Sequence, residues 1–325
     1  MLTGYHHVTA ITADLRACHD FMAGLLGLRL VKRSVNEDSG GLHLFYGDGA
    51  GRVGATLSFF HWNSAPEQRG TNAIVRVGFR IPPDSLDFWA ARLAGAGCAV
   101  RAQAVGAWDA LLCDSPDGLR LALIADPCGP AAVAHRDSSV PPEHQIRGLG
   151  AVALSVHDAA GSCWFLTGLM GMRQAGEWDD PDGAGRVMAF VMPGAPPGPA
   201  GEVHVIVQPD LPPARQGAGA VHHLAFCVDD AAAGLACRQR LIDHGVQVAP
   251  QIDRRYFQSI YFREPGGNLL EIATRGPGFT VDEPLPALGG RLILPQRLEH
   301  MRPQLVQDMP LPEPQGTGNC GQSGS

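Results

Sequence analysis

GLLGLRLV (24–31), AGAGCAVR (94–101), GLMGMRQA (168–175) and IDHGVQVA (242–249) are four versions of one phrase, and their recurrence decides the fold. In each, a glycine (Gly27, Gly97, Gly171, Gly245) closes an amphipathic stretch such as DLRACHDFMAGLL or DSLDFWAARLAGA, and a strand-like run leaves it. Glycine just past the last helical turn tolerates the left-handed conformation that a helix end adopts. The four glycines are nearly evenly spaced, which points to duplication.

Working outward, each phrase is preceded by a short apolar strand: YHHVTAIT, AIVRVGFRI, LGAVALSV and VHHLAFCV. Further strands separated by turn residues follow it. The pattern predicts strand, helix, three strands, with copies near 4–61, 73–125, 148–209 and 220–274. The expected fold class is α+β, four βαβββ modules paired into two domains. Taken in chain order these are an N-terminal domain, 1–125, supplying one metal ligand, and a C-terminal domain, 148–275, supplying two. The stretch 126–147 (DPCGPAAVAHRDSSVPPEHQIR) has no clear period and reads as the linker. Residues 276–325 form a Pro-rich C-terminal extension whose end, QGTGNCGQSGS, is expected to be disordered.

Composition narrows the function classes. With 45% hydrophobic and 18% charged residues in 325, the chain can bury large cores. A net charge of −7 and no dense Lys/Arg run argue against nucleic acid as a partner. No run of eighteen apolar residues and no signal-like start is found, so a cytoplasmic protein with no membrane partner is expected. The eight cysteines are scattered without a CxxC pair and read as reduced, structural thiols.

The repeat also isolates the chemistry, since a site present in some copies only is not a need of the fold. Paired histidines occur in the first and fourth opening strands, whereas Arg76 and Ala151 stand at the equivalents of His7 and His223 in the middle copies. In the last strands, EPGGNLLEIAT matches SPDGLRLALI, so Ala122 stands where Glu271 does. A carboxylate between Leu270 and Ile272 is costly to bury unless paired or bound to a cation. Strand alternation puts His222, Leu224, Phe226 and Val228 on a bulky face, predicted to pack under the helix. His223, Ala225 and Cys227 fall on a small-residue face, predicted to border a cavity. Glu271 is in phase with Ala273, and His7 is the cavity-facing member of its pair by analogy. Singly, each residue is also explained as a satisfied core group. Jointly, two imidazoles and one carboxylate make the facial arrangement that holds non-haem Fe(II), and Mn(II) accepts similar ligands.

At these residues the chain resembles the vicinal oxygen chelate superfamily and, more closely, its ring-cleaving dioxygenases of hydroquinones. The likeness runs over roughly residues 5 to 285, through HHVTAIT, GLRLVKRSVN, LHLFYGD, VHHLAFCV, RRYFQSIYFREPGGNLLEIAT and PGFTVDE. It implies cupped sheets around a metal held by His7, His223 and Glu271, with His6, His222, Arg254 and Tyr261 on the substrate side. His222 or Tyr261 would manage protons, and Arg254 would balance negative charge. The implied cofactor is Fe(II), the implied partners a small aromatic substrate and dioxygen, and a homo-oligomer is compatible. Glu37, the short segment before His43, and Arg275 depart from the family pattern near the expected substrate loops.

Three alternatives share the scaffold. A glyoxalase-type isomerase or thiol transferase leans on a fourth protein ligand, usually a carboxylate, at the last strand of the partner module. Here GATLSFF places Ser58 at that position, which favours dioxygen chemistry. A catechol-type extradiol dioxygenase would share every ligand. A bleomycin-resistance-like binding protein would need no metal.

Overall fold

The computed structural model describes residues 1–181 and 185–309. The first module runs β1 (Gly4–Thr12), α1 (Leu15–His19) with a further helical turn (Asp20–Leu25), β2 (Arg29–Val35), β3 (Leu42–Gly47) and β4 (Thr56–His61). The second runs β5 (Ala73–Ile81), α2 (Leu86–Gly95), β6 (Arg101–Ala102), β7 (Ala110–Asp114) and β8 (Arg120–Ala125). The third opens on β9 (Gly148–Leu149) and β10 (Val152–Val156), followed by α3 (Ala159–Trp164), β11 (Arg173–Asp179), β12 (Arg186–Val191) and β13 (Glu202–Val207). The fourth has β14 (Val221–Val228), α4 (Ala231–Asp243), β15 (Ile252–Asp253), β16 (Gln258–Arg263) and β17 (Leu269–Thr274).

The signals that predicted the modules act as read. Gly27, Gly97, Gly171 and Gly245 have φ of 69°, 79°, 69° and 78°, the left-handed region that a side chain would strain. Asp14, Asp158 and Asp230 accept from the backbone N–H of Ala17, Ala160 and Ala233, capping three of the four helices. The helices cover one face of each sheet; Trp89 on α2, Phe165 on the turn after α3, and Phe79, Phe190 and Phe226 on the strands are fully buried.

The modules do not pair in chain order. One sheet has the order β15-β16-β17-β14-β1-β4-β3-β2 and joins the first module to the fourth; the other, β11-β12-β13-β10-β5-β8-β7-β6, joins the second to the third. The grouping into 1–125 and 148–275 is therefore corrected: each sheet takes one module from each half. Arg80 on β5 supplies the physical reason. Its guanidinium grips both ends of the linker, bonding Asp126 at 2.8 Å and the carbonyls of Arg147 and Leu149 at 2.7 and 3.0 Å. That holds the third module's opening strand against β5, leaving β1 and β14 to pair with each other.

Beyond β17 the chain forms a strap rather than a loose tail. Ser34 bonds the carbonyl of Ile293, and Arg29 the carbonyls of Pro286 and Leu288, so the strap covers β2, the outer strand of the first sheet. Lys32, fully buried on β2, lies 2.5 Å from Asp282 and also bonds Glu283. The strap ends with α5 (Arg302–Asp308), which buries Leu305. The expected disorder of QGTGNCGQSGS lies outside the described residues. Among the described residues no helix is long and apolar enough to cross a membrane, and the described cysteines are free thiols.

Candidate metal centre

β1 and β14 run antiparallel at the centre of the first sheet, with His7 opposite Ala225 and Thr9 opposite His223. On the far side of β14, the parallel strand β17 sets Glu271 beside Ala225. One site thus receives His7, His223 and Glu271 from three neighbouring strands. Their ligating atoms all lie within 4.8 Å of one another, and each residue is buried. His223 Nε2 is 2.9 Å and His7 Nε2 is 3.5 Å from Glu271 Oε2, and the two Nε2 atoms are 3.2 Å apart.

These distances are short, yet they do not complete the carboxylate's hydrogen bonding. Glu271 is fully buried, and neither of its oxygens has a donor aligned for a hydrogen bond. A bare buried carboxylate is among the costliest arrangements a core can hold. Its oxygen and two imidazole nitrogens converge on a common point, the donor set of a divalent transition-metal site.

Strict alternation fails at both histidine pairs, and the failure is informative. The register of β1 against β14 shifts between Tyr5 and His7 and again between Thr9 and Ala10, so His6 and His222 are each the extra residue of a β-bulge. The prediction that His222 packs under the helix with Leu224, Phe226 and Val228 is corrected: those three are fully buried in the core, while His222 faces the cleft. The bulges bring each histidine onto its neighbour, His6 Nδ1 to His7 Nδ1 at 2.9 Å and His222 Nδ1 to His223 Nδ1 at 2.7 Å.

Proton bookkeeping then fixes the first pair. His6 Nε2 is 3.1 Å from the Thr274 carbonyl, which can only accept, so His6 carries its proton there. Its Nδ1 must accept from His7 Nδ1–H, leaving a lone pair on His7 Nε2, aimed at the site. Burial holds both imidazoles neutral, pushing His6 down to about 4 and His7 to about 3. His223 is also held near 3 by burial, with Arg254 adding to the effect. His222 has no carbonyl partner of this kind, so the 2.7 Å contact between the two Nδ1 atoms shows a shared proton without assigning it; ligation through His223 Nε2 requires that proton on His223 Nδ1.

The site opens into a cleft of about 880 Å³. Tyr261 stands over it with its ring edge-on to His223, the centroids 5.5 Å apart. Burial first, then the charge of Glu271, pushes its phenol well above the usual range, so it stays protonated and can donate. Arg254 lies 5.6 Å from the Tyr261 ring and 3.2 Å from Asp38. His222, Arg254 and Tyr261 thus border the cleft beside His7 and His223, whereas His6 sits behind His7 against Phe257.

Other cleft groups were not singled out from sequence: His43, Phe60, Trp62, Phe257 and the strap residues Ile293–Pro295. The first had a legible signal. Leu42 and Leu44 are core residues of β3, so His43 between them faces the opposite side. The strap had none, because nothing local in Ile293–Pro295 states which strand it will cover. Glu37 pairs with Arg297 of the strap at 2.9 Å, while Arg275 is an exposed partner of Asp229.

The second sheet has no such site among the described residues. Ala153 faces His204 there as Ala225 faces Glu271. His204 is bound to Glu202 at 3.0 Å, and Trp178 packs edge-on against it.

The model of the Glyoxalase/Bleomycin resistance protein/Dioxygenase superfamily matches residues 4–123 and 148–272, two segments that together hold all four modules. The chain belongs to this superfamily. Within it, the chain is 39% identical over 314 residues to a Bacillus subtilis protein named "Putative ring-cleaving dioxygenase MhqA", covering 94% of this chain and 97% of that one. It is 27% identical over 313 residues to the chlorohydroquinone/hydroquinone 1,2-dioxygenase of Sphingobium indicum, covering 94% and 95%. The crystal structure of a Bacillus subtilis protein named "putative dioxygenase" superposes with a TM-score of 0.87 at 31% identity, over 96% of this chain and 97% of that one. Glyoxalase I from Zea mays, at 15% identity and a TM-score of 0.62, shares the superfamily's fold. The recognised family and the paired βαβββ architecture are thus both borne out.

Proposed function

We propose that this chain is an Fe(II)-dependent dioxygenase that opens the ring of a hydroquinone-type aromatic, with His7, His223 and Glu271 as the metal ligands. The observation that carries the reading is the fully buried Glu271 carboxylate, without a hydrogen-bond partner and clustered with two imidazoles that burial holds neutral. The names of the relatives support the reaction class. Ser58 supports an oxygenase over a glyoxalase-type isomerase, because it occupies the β4 position equivalent to Glu271 on β17 and presents a hydroxyl where a fourth carboxylate ligand would stand.

When bound, Fe(II) supplies the one-electron chemistry that allows dioxygen to react with a closed-shell aromatic ring. The protein's own groups do the rest. Phe60, Trp62 and Phe257 give the cleft flat apolar walls that orient an aromatic ring and exclude water. Arg254 provides a fixed positive charge, and the Tyr261 hydroxyl a donor, for negative charge developing on the substrate oxygens. With His223 ligating through Nε2, its Nδ1–H donates to His222 Nδ1, and His222 then carries its own proton on Nε2 at the cleft. His6 fixes the tautomer of His7 and acts by positioning.

The test is oxygen uptake by anaerobically iron-loaded protein against a panel of hydroquinones, catechols and monophenols. Hydroquinones are expected to be consumed fastest, and His223→Ala to lose both iron and activity while remaining folded, since the middle modules fold without that histidine. An active, iron-loaded His223→Ala protein would sink the ligand assignment.

A further inference from the structure

The cleft holds a second polar wall that the reading above leaves unused. His43 Nε2 is 2.9 Å from Ser58 Oγ, and Ser58 Oγ is 2.9 Å from Thr9 Oγ1. Thr9 and Ser58 are fully buried, and Thr9 lies two residues along β1 from His7 on the same face. The chain of hydrogen bonds thus starts beside a ligand strand, passes through the position equivalent to Glu271, and ends on an imidazole at the cleft wall. His43 is wedged between Phe45 and Phe60, with centroids at 3.9 and 4.4 Å, so its ring has little freedom. Its Nδ1 has no protein partner among the described residues and is not sealed from the cleft.

Its place relative to the ligands matters most. Phe60 packs against both His43 and His223, its centroid 4.4 Å from the one and 6.3 Å from the other, and all three line the cleft. His43 and the metal-binding wall thus adjoin one shared aromatic ring. A substrate with one oxygen at that wall and its ring along Phe60 brings to His43 the oxygen at the far end. The far end carries an oxygen in a 1,4-diol and none in a 1,2-diol, whose two oxygens stay together at the near end.

We infer that His43, anchored by Ser58, is the specificity-determining contact for the second hydroxyl of a 1,4-dihydroxyaromatic. The inference rests on the proposed function and names the residue that selects its substrate class. Either tautomer serves. With Nε2 accepting from Ser58, Nδ1–H donates to the hydroxyl oxygen; with Nε2–H donating, Nδ1 accepts the hydroxyl proton.

The experiment compares binding of hydroquinone and of phenol to anaerobic, Fe(II)-loaded protein, followed by steady-state cleavage. His43→Phe keeps the ring between its two neighbours, and Ser58→Ala frees the imidazole without removing it. Loss of one neutral hydrogen bond is expected to weaken hydroquinone binding roughly three- to tenfold in His43→Phe. Phenol, which lacks the second hydroxyl, should bind the variant as it binds the parent. His43→Gln should recover part of the loss, with KM moving more than kcat. Equal weakening of both ligands, or of neither, overturns the inference. A parent protein that binds iron but cleaves no hydroquinone contradicts the proposed function instead, and the ligand comparison still judges His43.

Discussion

Glu271 concentrates the tension between stability and function in one side chain. A buried carboxylate without a donor destabilises the metal-free fold, and its neighbours His7 and His223 are held neutral, so they bring no compensating charge. Glu271→Gln removes the charge at nearly constant volume. The metal-free variant is expected to be more stable than the parent by about 1–3 kcal/mol. It should also lose the upward Tm shift that Fe(II) gives the parent, because a ligand stabilises only the state it binds. Parallel thermal melts with and without Fe(II) decide the matter; a metal-free Glu271→Gln protein that melts below the parent would contradict it. The buried cluster of His7, His223 and Glu271, which we propose as the ligands, was legible because the repeat supplied an internal control: Ala122 shows that the strand does not need Glu271. The orientation of His6 and His222 was not legible, since a bulge arises where two strands meet and leaves no mark in either one alone.

At the scale of elements, the strap from Gly276 to Met309 matters most for the cleft, and its anchor is electrostatic. Lys32 is buried against Asp282 and Glu283, and Asp282 also takes bonds from Arg255 and Tyr256. Removing the lysine leaves the buried Glu283 without its cation and Asp282 with Arg255 alone. Lys32→Met is expected to cost about 3–5 kcal/mol and to raise the KM for the aromatic, because Ile293–Pro295 lose their seat on the cleft wall. Urea denaturation and hydrogen exchange along 276–309 measure both effects. Acid should act at the same place. Burial alone would raise the Asp282 carboxyl, but Lys32, Tyr256 and Arg255 more than offset it, and its value in the fold is lowered from 3.8. A group lowered on folding stabilises the fold above its unfolded value, and the contribution is lost as pH falls through the folded value. Exchange protection of the strap should therefore hold at neutral pH and drop below about pH 4; protection unchanged at pH 3 would show that the ion cluster does not hold it. The helices and strands of each module were readable from period and punctuation, because those signals are local. The strap was not, because its place depends on side chains some 250 positions away in the chain, as the 250-residue separation of Lys32 and Asp282 shows.

The whole molecule places its candidate site where the first and fourth modules share a sheet. Among the described residues His7 comes from the first strand and Glu271 from the last, and they come together only because the first module pairs with the fourth. Chain order suggested the other pairing, and the clue against it, the grip of Arg80 on Asp126 and on the carbonyls of Arg147 and Leu149, is tertiary. The same closure leaves the second sheet free of ligand duty, with His204 and Trp178 filling the equivalent space. One sheet carries the proposed metal site and its counterpart does not. The central claim is that this site adds dioxygen across an aromatic ring. The most direct measurement is mass spectrometry of the product formed by iron-loaded protein from hydroquinone under ¹⁸O₂. Two labelled oxygen atoms in a ring-opened product are predicted; an intact quinone without label would contradict the claim.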